Sequence, residues 1–280
     1  MSSILKKLSI SSEKIYYDDF NNSSQVNELK FRKKISSEKK IDYFKEISKN
    51  HSIRVMDNEI VRILKKVPKN GLILDLGGCW GWHWRNIILT RPDVKVFLLD
   101  FVMESLIHSK EILKNQVNNN IYLINSDINK LPFENRTFDL VWTVQALQHI
   151  PSFENACKEA FRVLKNNGTF INYSFNSAFF IKWIYFLLRK KYHISGNFKG
   201  EYFLERGSKK QENIIKKVFL NKIYKRYTEN LFHPDLKINT GSEKSIIGKL
   251  DSYLSSNFWL LKFISRQISY EVKKIENTDI

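Results

Sequence analysis

The sequence is poor in cysteine and in long apolar runs, and each shortage excludes a class of protein. Its two cysteines, Cys79 and Cys157, are too few for a disulfide framework or a zinc cluster, so we expect no metal site and a reducing compartment. No apolar run reaches the roughly 20 residues that a membrane-spanning helix needs. Residues 1–14 also lack the apolar stretch of a signal peptide. Together these shortages predict a cytoplasmic protein.

Acidic residues are scarce as well, because 29 Asp and Glu stand against 46 Lys and Arg and leave a formal net charge of +17. The excess is greatest between Lys182 and Arg226, where 13 basic residues accompany 3 acidic ones. Such a block can face phosphates, an acidic glycan or an anionic membrane. The alternative is that the lysines are only solvated, as is usual for charged runs. The sequence leaves both interpretations open.

The middle of the chain alternates short apolar runs with stretches of helical periodicity. The pattern predicts strands at 72–75, 94–100, 121–126, 138–143 and 169–173, and helices at 82–90, 104–116 and 153–164. Alternation with short connections implies right-handed crossovers and a parallel sheet. The strands are continuously apolar, which is typical of strands covered on both faces.

The flanking segments complete the predicted architecture. Helices are expected from Ser37 and at 53–66, and a strand at 223–227, a helix at 244–254 and a strand at 268–275 follow the core. We therefore predict an α/β protein with a Rossmann-like, doubly wound, mostly parallel sheet of seven strands. Its parts are an N-terminal helical extension or lid (1–52), a ligand-binding core (53–176), a basic, aromatic cap insertion (177–221) and a C-terminal part that completes the sheet (222–280).

The segment 71–100 carries the strongest functional signal. An apolar strand ends in Asp75, a glycine turn follows, and a second apolar strand ends in Asp100, while Asp127 follows the third strand. Because the carboxyl ends of parallel strands meet at one edge of a sheet, these acids are expected near the glycine turn. A carboxylate accepts hydrogen bonds from both hydroxyls of a ribose, and an acid directly before the turn suits a pyrophosphate poorly. The pattern favours a positively charged adenosine compound over a dinucleotide such as NAD.

Four blocks between residues 53 and 173 resemble the class I S-adenosylmethionine-dependent methyltransferases. They are Leu-Asp-Leu-Gly-Gly-Cys-Trp-Gly, Leu-Leu-Asp-Phe, the stretch from Ser-Asp-Ile-Asn to Phe-Asp-Leu-Val, and the pair Gln-Ala-Leu-Gln-His-Ile-Pro and Glu-Ala-Phe-Arg-Val-Leu-Lys-Asn-Asn-Gly. The last pair is similar to the small-molecule branch, which includes quinone and sterol methyltransferases. The resemblance implies S-adenosylmethionine as the cofactor and methyl transfer as the reaction.

The same resemblance implies which residues bind the cofactor. They are Asp75 at its amino group, Gly77, Gly78 and Gly81 along its methionine part, Asp100 at its ribose, Phe101, Asp127 and Ile128 at its adenine, and Gln145 at the end of the fourth strand. The sequence departs from the family pattern at one position, because Cys79 stands where the middle glycine is expected. Its side chain either crowds the cofactor or points away from it.

Methyl transfer from a sulfonium depends on alignment and on exclusion of water, and it needs a base only when the acceptor loses a proton, as a hydroxyl does. His149 follows the fourth strand on the side where the methyl group is expected, and an unperturbed imidazole titrates near neutrality, so we predict it as the base. The alternative is a helix-start histidine that bonds only the backbone. Tyr173, at the end of the fifth strand, is also predicted to reach the acceptor.

Two aromatic segments have alternative interpretations. The tryptophans Trp80, Trp82 and Trp84 crowd the glycine turn, where we favour helix–sheet packing over a wall of the cofactor pocket or a stacking surface for a sugar ring.

The apolar run 178–188, which basic residues follow at once, is too short to span a bilayer. We favour a buried helix that roofs the active site. The alternative is an amphipathic segment on the inner face of the membrane.

These observations predict a methyltransferase that acts on a small molecule, with a sugar or glycan hydroxyl or a lipid-linked intermediate as acceptor, as in polysaccharide biosynthesis. An RNA methyltransferase is a second hypothesis, because tyrosines interleave with the basic residues of 182–226, although 143–145 lack an Asn-Pro-Pro-Tyr-type motif. A third is a catalytically silent scaffold that binds the cofactor or a partner, which only Cys79 favours. The sequence does not indicate an oligomeric state.

Overall fold

The chain folds around one mixed sheet. A computed structural model describes residues 3–20, 26–36, 42–150, 152–176, 178–190, 209–234 and 242–275. The strands are β1 (Ser9–Ile10), β2 (Tyr16–Tyr17), β3 (Leu72–Leu76), β4 (Lys95–Asp100), β5 (Ile121–Asn125), β6 (Phe138–Val144), β7 (Leu164–Phe175), β8 (Tyr224–Thr228) and β9 (Gln267–Lys273). The helices are α1 (Val26–Ser36), α2 (Tyr43–Asn50), α3 (Ile53–Leu64), α4 (Ile87–Thr90), α5 (Met103–Leu113), α6 (Phe153–Val163), α7 (Phe179–Leu187), α8 (Lys209–Phe219) and α9 (Ile246–Leu254).

The order of the strands creates a ligand-binding edge. They lie in the order β1-β2-β5-β4-β3-β6-β7-β9-β8. Strands β2, β5, β4, β3, β6 and β7 run parallel to one another, whereas β1 is antiparallel to β2, and β9 is antiparallel to both β7 and β8. The chain passes outwards from β3 through β4 to β5, and then crosses back to β6 and β7. The carboxyl ends of β3 and β6 therefore flank a topological switch point, which is where open α/β sheets bind ligands.

The predicted fold class is confirmed, but the sheet has two strands more than the seven expected. The additional strands, β1 and β2, come from the N-terminal extension, where Tyr16 pairs with Ile124 and Tyr17 with Asn125 of β5. Strands of two residues carry too little periodicity to be recognised in a sequence. Because β2 runs parallel to β5, the chain that follows it reaches the carboxyl edge of the sheet.

Two helical segments differ from the expectation, and one expected helix start lies where no comparison is possible. The helix predicted at 82–90 is a 3-10 turn, Trp82–Trp84, followed by the short α4. The side-chain amide of Gln116 donates to the carbonyl oxygen of Arg85 at 2.8 Å and accepts from the N–H of Ile88 at 3.3 Å, so it bonds backbone groups at the interruption. The expected helix start at Ser37 lies outside the described residues, and α2 begins at Tyr43. Helix α8, within the cap, was not predicted.

The cap contradicts the expectation of a buried roof. Within 178–188 only Ala178, Ile181 and Tyr185 are buried, where they pack together against Ile264. The remaining apolar side chains of this segment expose between 38% and 76% of their surface: Phe179, Phe180, Trp183, Ile184, Phe186, Leu187 and Leu188. Helix α7 therefore turns most of its apolar surface towards solvent. None of the helices in the described ranges combines the length and the apolar character that crossing a membrane requires.

A buried network of ion pairs and hydrogen bonds connects α3 with the strands at one end of the sheet, β7, β9 and β8. Glu59 accepts from Arg62 at 3.0 Å, from Arg226 at 2.8 Å and from the hydroxyl of Tyr173 at 2.5 Å. Arg62 also donates to the Tyr173 hydroxyl at 3.0 Å and to Glu271. Burial and the neighbouring Glu59 carboxylate hold the pKa of Tyr173 well above its usual value. The network thus connects one helix with strands β7, β8 and β9.

A Tyr173→Phe variant is expected to lose about 1–3 kcal/mol of the free energy of unfolding, because Glu59 loses a donor and Arg62 an acceptor inside the protein. Urea denaturation followed by circular dichroism measures this loss. Tyr253→Phe is the matched control, since Tyr253 is 77% exposed and should be neutral. Equal stability of both variants would show that the network does not support the fold.

Candidate active site

The site forms where β3, β4 and β6 end. The N–H groups of Gly77 and Gly78 both donate to the carbonyl oxygen of Leu99 in β4, at 2.8 and 3.1 Å, and so attach the turn after β3 to the neighbouring strand. Gly77 has φ of +75°, and a Cβ added there would lie 2.3 Å from the Cβ of Ala146, which follows β6. Only glycine fits this close approach without moving the backbone of either segment.

The carboxyl group of Asp75 lies beneath the turn. It is 2% exposed, and the indole N–H of Trp84 donates to its Oδ2 at 2.7 Å. A Cβ added to Gly78 would stand 2.6 Å from the same oxygen, so the backbone passes directly over the acid. Burial raises the pKa of Asp75 to about 7; the Trp84 hydrogen bond opposes this rise, and the charge of Asp100 adds to it. A cation bound beside this group would favour its ionised form.

Asp100 is held by two backbone donors. The N–H of Cys79 donates to its Oδ2 and the N–H of Val102 to its Oδ1, both at 2.9 Å. The carboxyl group is 6% exposed, and burial raises its pKa while these two hydrogen bonds oppose the rise. A carboxylate offers about four lone-pair sites, so further donors can still bind. The arrangement orients both oxygens at the end of β4.

Cys79 serves the site through its backbone. Its φ is +49°, a left-handed conformation that favours glycine, and it places the N–H towards Asp100. Burial, followed by the charge of Asp100, raises the pKa of the thiol to about 12, so the sulfur stays protonated at neutral pH. The departure from the family's glycine pattern is therefore accommodated in the turn.

The third acid lies one strand further along, together with a residue that sequence reasoning missed. Asp127 Oδ1 accepts from the backbone and side-chain nitrogens of Asn129, at 2.9 and 3.0 Å. Asp18, which follows β2, adds a second carboxyl group: burial raises its pKa, and the charge of Asp127 adds to the rise. Ile128 is 7% exposed. Asp18 could not be found from the sequence because β2, the strand that precedes it, has only two residues.

Several buried polar atoms surround the glycine turn without a hydrogen-bond partner among the described residues. They are Trp80 Nε1, Trp82 Nε1, His83 Nδ1, Gln145 Nε2 and Gln148 Oε1. Buried polar groups in proteins are almost always satisfied, and a ligand is one way to satisfy them. Trp84, by contrast, is fully buried with its ring 6.1 Å from that of Trp142, so the packing role expected of these tryptophans is confirmed for this one.

The two predicted catalytic residues have different surroundings. His149 lies half-buried in the 3-10 turn after β6, and a guanidinium nitrogen of Arg32 approaches its Nε2 to 3.4 Å. An arginine can only donate, so this contact requires the lone pair of the imidazole to be on Nε2. Tyr173, in contrast, is completely buried and its hydroxyl is engaged by Glu59 and Arg62, which contradicts its predicted contact with an acceptor.

The N-terminal helices cover the turn. Tyr43 of α2 packs edge-on against Trp80 with ring centroids 5.3 Å apart, and Phe44 packs against Trp82 at 6.2 Å. The Tyr43 hydroxyl donates to Glu111 of α5 at 2.8 Å. The lid expected from the sequence for residues 1–52 stays a prediction, and no signal in the sequence singled out Arg32, Tyr43 or Phe44.

Comparison with protein families gives one match within the chain. A methyltransferase domain model matches residues 74–172, which begin in β3 and end in β7. This range is about a third of the chain and includes all of the predicted cofactor-binding residues.

Three relatives show how the similarity is distributed. An uncharacterised protein of Methanocaldococcus jannaschii is 25% identical over 84% of this chain and 87% of its own length. Demethylmenaquinone methyltransferase of Lactococcus lactis is 36% identical over 34% of this chain and 38% of its own. Sterol 24-C-methyltransferase of Kluyveromyces lactis is 32% identical over 38% of this chain and 29% of its own. The chain thus matches only about a third of the two methyltransferases.

Solved structures agree in fold. A methyltransferase of Thermotoga maritima aligns with a TM-score of 0.54 at 14% identity, covering 90% of this chain and 97% of that one. Phosphoethanolamine N-methyltransferase 2 of Haemonchus contortus, in complex with S-adenosylmethionine, aligns with a TM-score of 0.52 at 17% identity, covering 78% and 53%. The domain match and the fold support a class I S-adenosylmethionine-dependent methyltransferase, with its methyltransferase domain at residues 74–172.

Proposed function

We propose that the crevice at the ends of β3, β4 and β6 transfers the methyl group of S-adenosylmethionine to a hydroxyl of a small molecule, either a sugar or glycan or a lipid-linked intermediate. The observation that carries the proposal is the Asp100 carboxylate. Backbone N–H groups of Cys79 and Val102 hold it at the end of β4, beside the glycine turn. Two further acids, Asp75 and Asp127, follow the adjoining strands.

The residues present fit the cofactor. Asp100 accepts the two ribose hydroxyls with the lone pairs that its backbone donors leave over. Asp75 lies beneath the turn, where the positive amino group of the methionine part favours its ionised form. The unsatisfied N–H groups of Trp80 and Gln145 suit the carboxylate of that same part. Phe101, Asp127 and Ile128 remain the proposed adenine contacts.

The methyl transfer itself needs few protein groups. The bound cofactor supplies an activated methyl group on a sulfonium, which is a good leaving group. The protein aligns the acceptor and excludes water, and the rings of Tyr43, Phe44, Trp80 and Trp82 form a cover suited to the second task. A base is required only because a hydroxyl must lose its proton.

His149 is the proposed base. Its Nε2 lone pair accepts from Arg32 at 3.4 Å and lies 3.3 Å from the side-chain nitrogen of Gln148, so the acceptor hydroxyl must displace these donors before His149 takes its proton. It lies in the 3-10 turn that follows β6, three residues after Ala146, whose side chain lies close to Gly77. In this role His149 takes the proton of the acceptor hydroxyl as the oxygen attacks the methyl carbon.

Two observations favour a lipid-linked or glycan acceptor over RNA. The named relatives include a demethylmenaquinone and a sterol methyltransferase, whose named substrates are lipids. In addition, several cations of the basic block 182–226 pair within the protein: Lys216 and Lys225 with Glu212, Lys217 with Glu154, and Arg226 with buried Glu59. Paired cations neutralise fewer phosphates, so this part of the block is less suited to RNA than its composition indicates.

An Asp100→Asn variant is expected to bind S-adenosylhomocysteine about 10- to 100-fold more weakly, because charge-assisted hydrogen bonds to the ribose are lost and one amide N–H faces the backbone donors. Isothermal titration calorimetry measures the change. Asp93→Asn is the matched control, since Asp93 precedes β4 at the opposite edge of the sheet and bonds Arg91. Unchanged affinity in Asp100→Asn would remove Asp100 from the cofactor site.

Cofactor affinity is expected to rise with pH. Asp75 has a raised pKa of about 7 in the free protein, and the positive amino group of the ligand favours its carboxylate form, so binding releases a proton below that pH. S-adenosylhomocysteine should therefore bind about tenfold more weakly at pH 6 than at pH 8. Asp75→Asn should abolish this difference. Equal wild-type affinities at the two pH values would contradict the placement of the amino group beside Asp75.

Incubation with S-adenosylmethionine that carries a tritiated methyl group tests the acceptor class. Label is expected in an isolated lipid-linked or glycan fraction, and His149→Gln should reduce the rate about 10²- to 10⁴-fold while S-adenosylhomocysteine affinity stays unchanged. Tyr173→Phe is the control, because its hydroxyl belongs to the buried network. Label that enters only RNA would refute the proposed acceptor, and an undiminished rate in His149→Gln would refute the base.

A further inference from the structure

The cap exposes an unusual amount of aromatic surface. We name α7 with Leu188 and the segment 258–263 the aromatic face. Six of its rings are at least half exposed: Phe186 (76%), Phe179 (63%), Trp259 (57%), Trp183 (55%), Phe258 (54%) and Phe180 (50%). Since a Phe or Trp side chain presents about 150–250 Å², the face exceeds the few hundred Å² that a monomeric protein usually leaves to water.

The two segments of the aromatic face are in contact. The rings of Phe180 and Phe263 lie with centroids 5.6 Å apart, and those of Trp259 and Phe263 lie 6.2 Å apart. Beneath them, Ile181 and Tyr185 are buried with Ala178. The face is therefore one continuous surface on a packed base.

The apolar residues of α7 cover more than one side of the helix. A residue advances about 100° around a helix, so Phe186, Phe179, Trp183, Phe180 and Ile184 follow one another across roughly half of its circumference. Only Ile181 and Tyr185 occupy the buried side. Surface helices of soluble proteins carry polar residues on the side that faces solvent. The apolar residues on the exposed half of α7 therefore indicate that something other than water covers this half.

The two stretches of chain that carry the aromatic face contain basic residues and no acidic ones. Residues 174–190 and 252–266 contain no Asp or Glu, whereas Lys182, Arg189, Lys190 and Lys262 are all exposed. Lys262 lies with its Nζ 4.6 Å from the ring centroid of Phe263 and 5.1 Å from that of Trp259. Cations at the border of exposed aromatic rings match the headgroup level of an anionic bilayer, whose surface attracts each Lys or Arg by about 1 kcal/mol.

The aromatic face lies at the same edge of the sheet as the active site. Strand β7 runs parallel to β6 and ends at Phe175. Ala178, three residues later, is the N-cap of α7. Gln267, which pairs with Phe175, begins β9 and follows the segment 258–263. Both segments of the face thus join the sheet at the carboxyl ends of the parallel strands.

We infer that the aromatic face docks the protein on the surface of an anionic lipid bilayer, with the rings of α7 and Trp259 among the acyl chains and the four cations at the headgroups. The helix lies in the plane of the interface, because nine residues are too few to cross it. Docking itself does not depend on the proposed acceptor. It does deepen that proposal, since a membrane-docked site can take a lipid-linked acceptor directly from the bilayer.

Co-sedimentation with vesicles tests the inference. The full-length protein is expected to bind vesicles of phosphatidylglycerol and phosphatidylcholine, to bind pure phosphatidylcholine at least tenfold more weakly, and to dissociate as salt is raised. The triple variant Phe179→Ser, Trp183→Ser, Phe186→Ser should lose at least tenfold in vesicle affinity. The matched control Ile10→Ser, Leu89→Ser, Leu220→Ser changes three exposed apolar residues elsewhere and should bind as the wild type does.

Two outcomes overturn the inference, and a third separates it from the proposed acceptor. Failure of the wild-type protein to sediment with anionic vesicles, with its S-adenosylhomocysteine affinity intact, excludes a membrane-docking face. A wild-type dimer in light scattering that the α7 triple variant converts to a monomer, without vesicle binding, assigns the face to a second copy of the chain. If vesicles are bound but no lipid-linked or glycan fraction takes up the tritiated methyl group, the acceptor proposal fails while the docking surface stands.

Discussion

The site depends on the Asp100 carboxylate and the two backbone N–H groups that hold it. These hydrogen bonds connect the glycine turn after β3, through Cys79, with the end of β4 and the start of α5, through Val102. The turn itself is attached to β4 by the carbonyl oxygen of Leu99. One acid therefore shapes the crevice, and in the proposed function its remaining lone pairs accept the ribose hydroxyls of the cofactor. Gly77 and Cys79 both adopt left-handed conformations in this turn, where their N–H groups donate to Leu99 and Asp100 respectively.

The N-terminal extension contributes to the site from outside the family's core. Strand β2 lengthens the sheet beside β5 and carries Asp18 to the carboxyl edge near Asp127. Helices α1 and α2 then supply Arg32 at His149 and the ring of Tyr43 over Trp80. The methyltransferase domain match begins only at residue 74, so these contributions belong to this chain's own extension rather than to the matched domain.

The sequence predicted the core because each signal there is local and strong. Asp75 and Asp100 lie at the ends of strands whose apolar runs are bounded by clear turns, Asp127 follows a third such strand, and the structure brings the first two together around the glycine turn. Tyr173 was misassigned because a sequence does not show on which side a strand residue finds its partner, and Glu59 is 114 positions away. The prediction that α7 is buried was wrong for a related reason. An apolar run indicates that a segment lies in an apolar environment, but it does not show whether that environment is the protein's own core.

A crystal structure of the protein with S-adenosylhomocysteine tests the central claim most directly. The account predicts a ligand in the crevice between β3, β4 and β6, with both ribose hydroxyls at about 2.6–3.0 Å from the Asp100 oxygens. Its methionine part should lie over Gly77 and Gly78, with the amino group beside Asp75. An empty crevice at saturating ligand, or a ribose bound away from Asp100, would contradict the account.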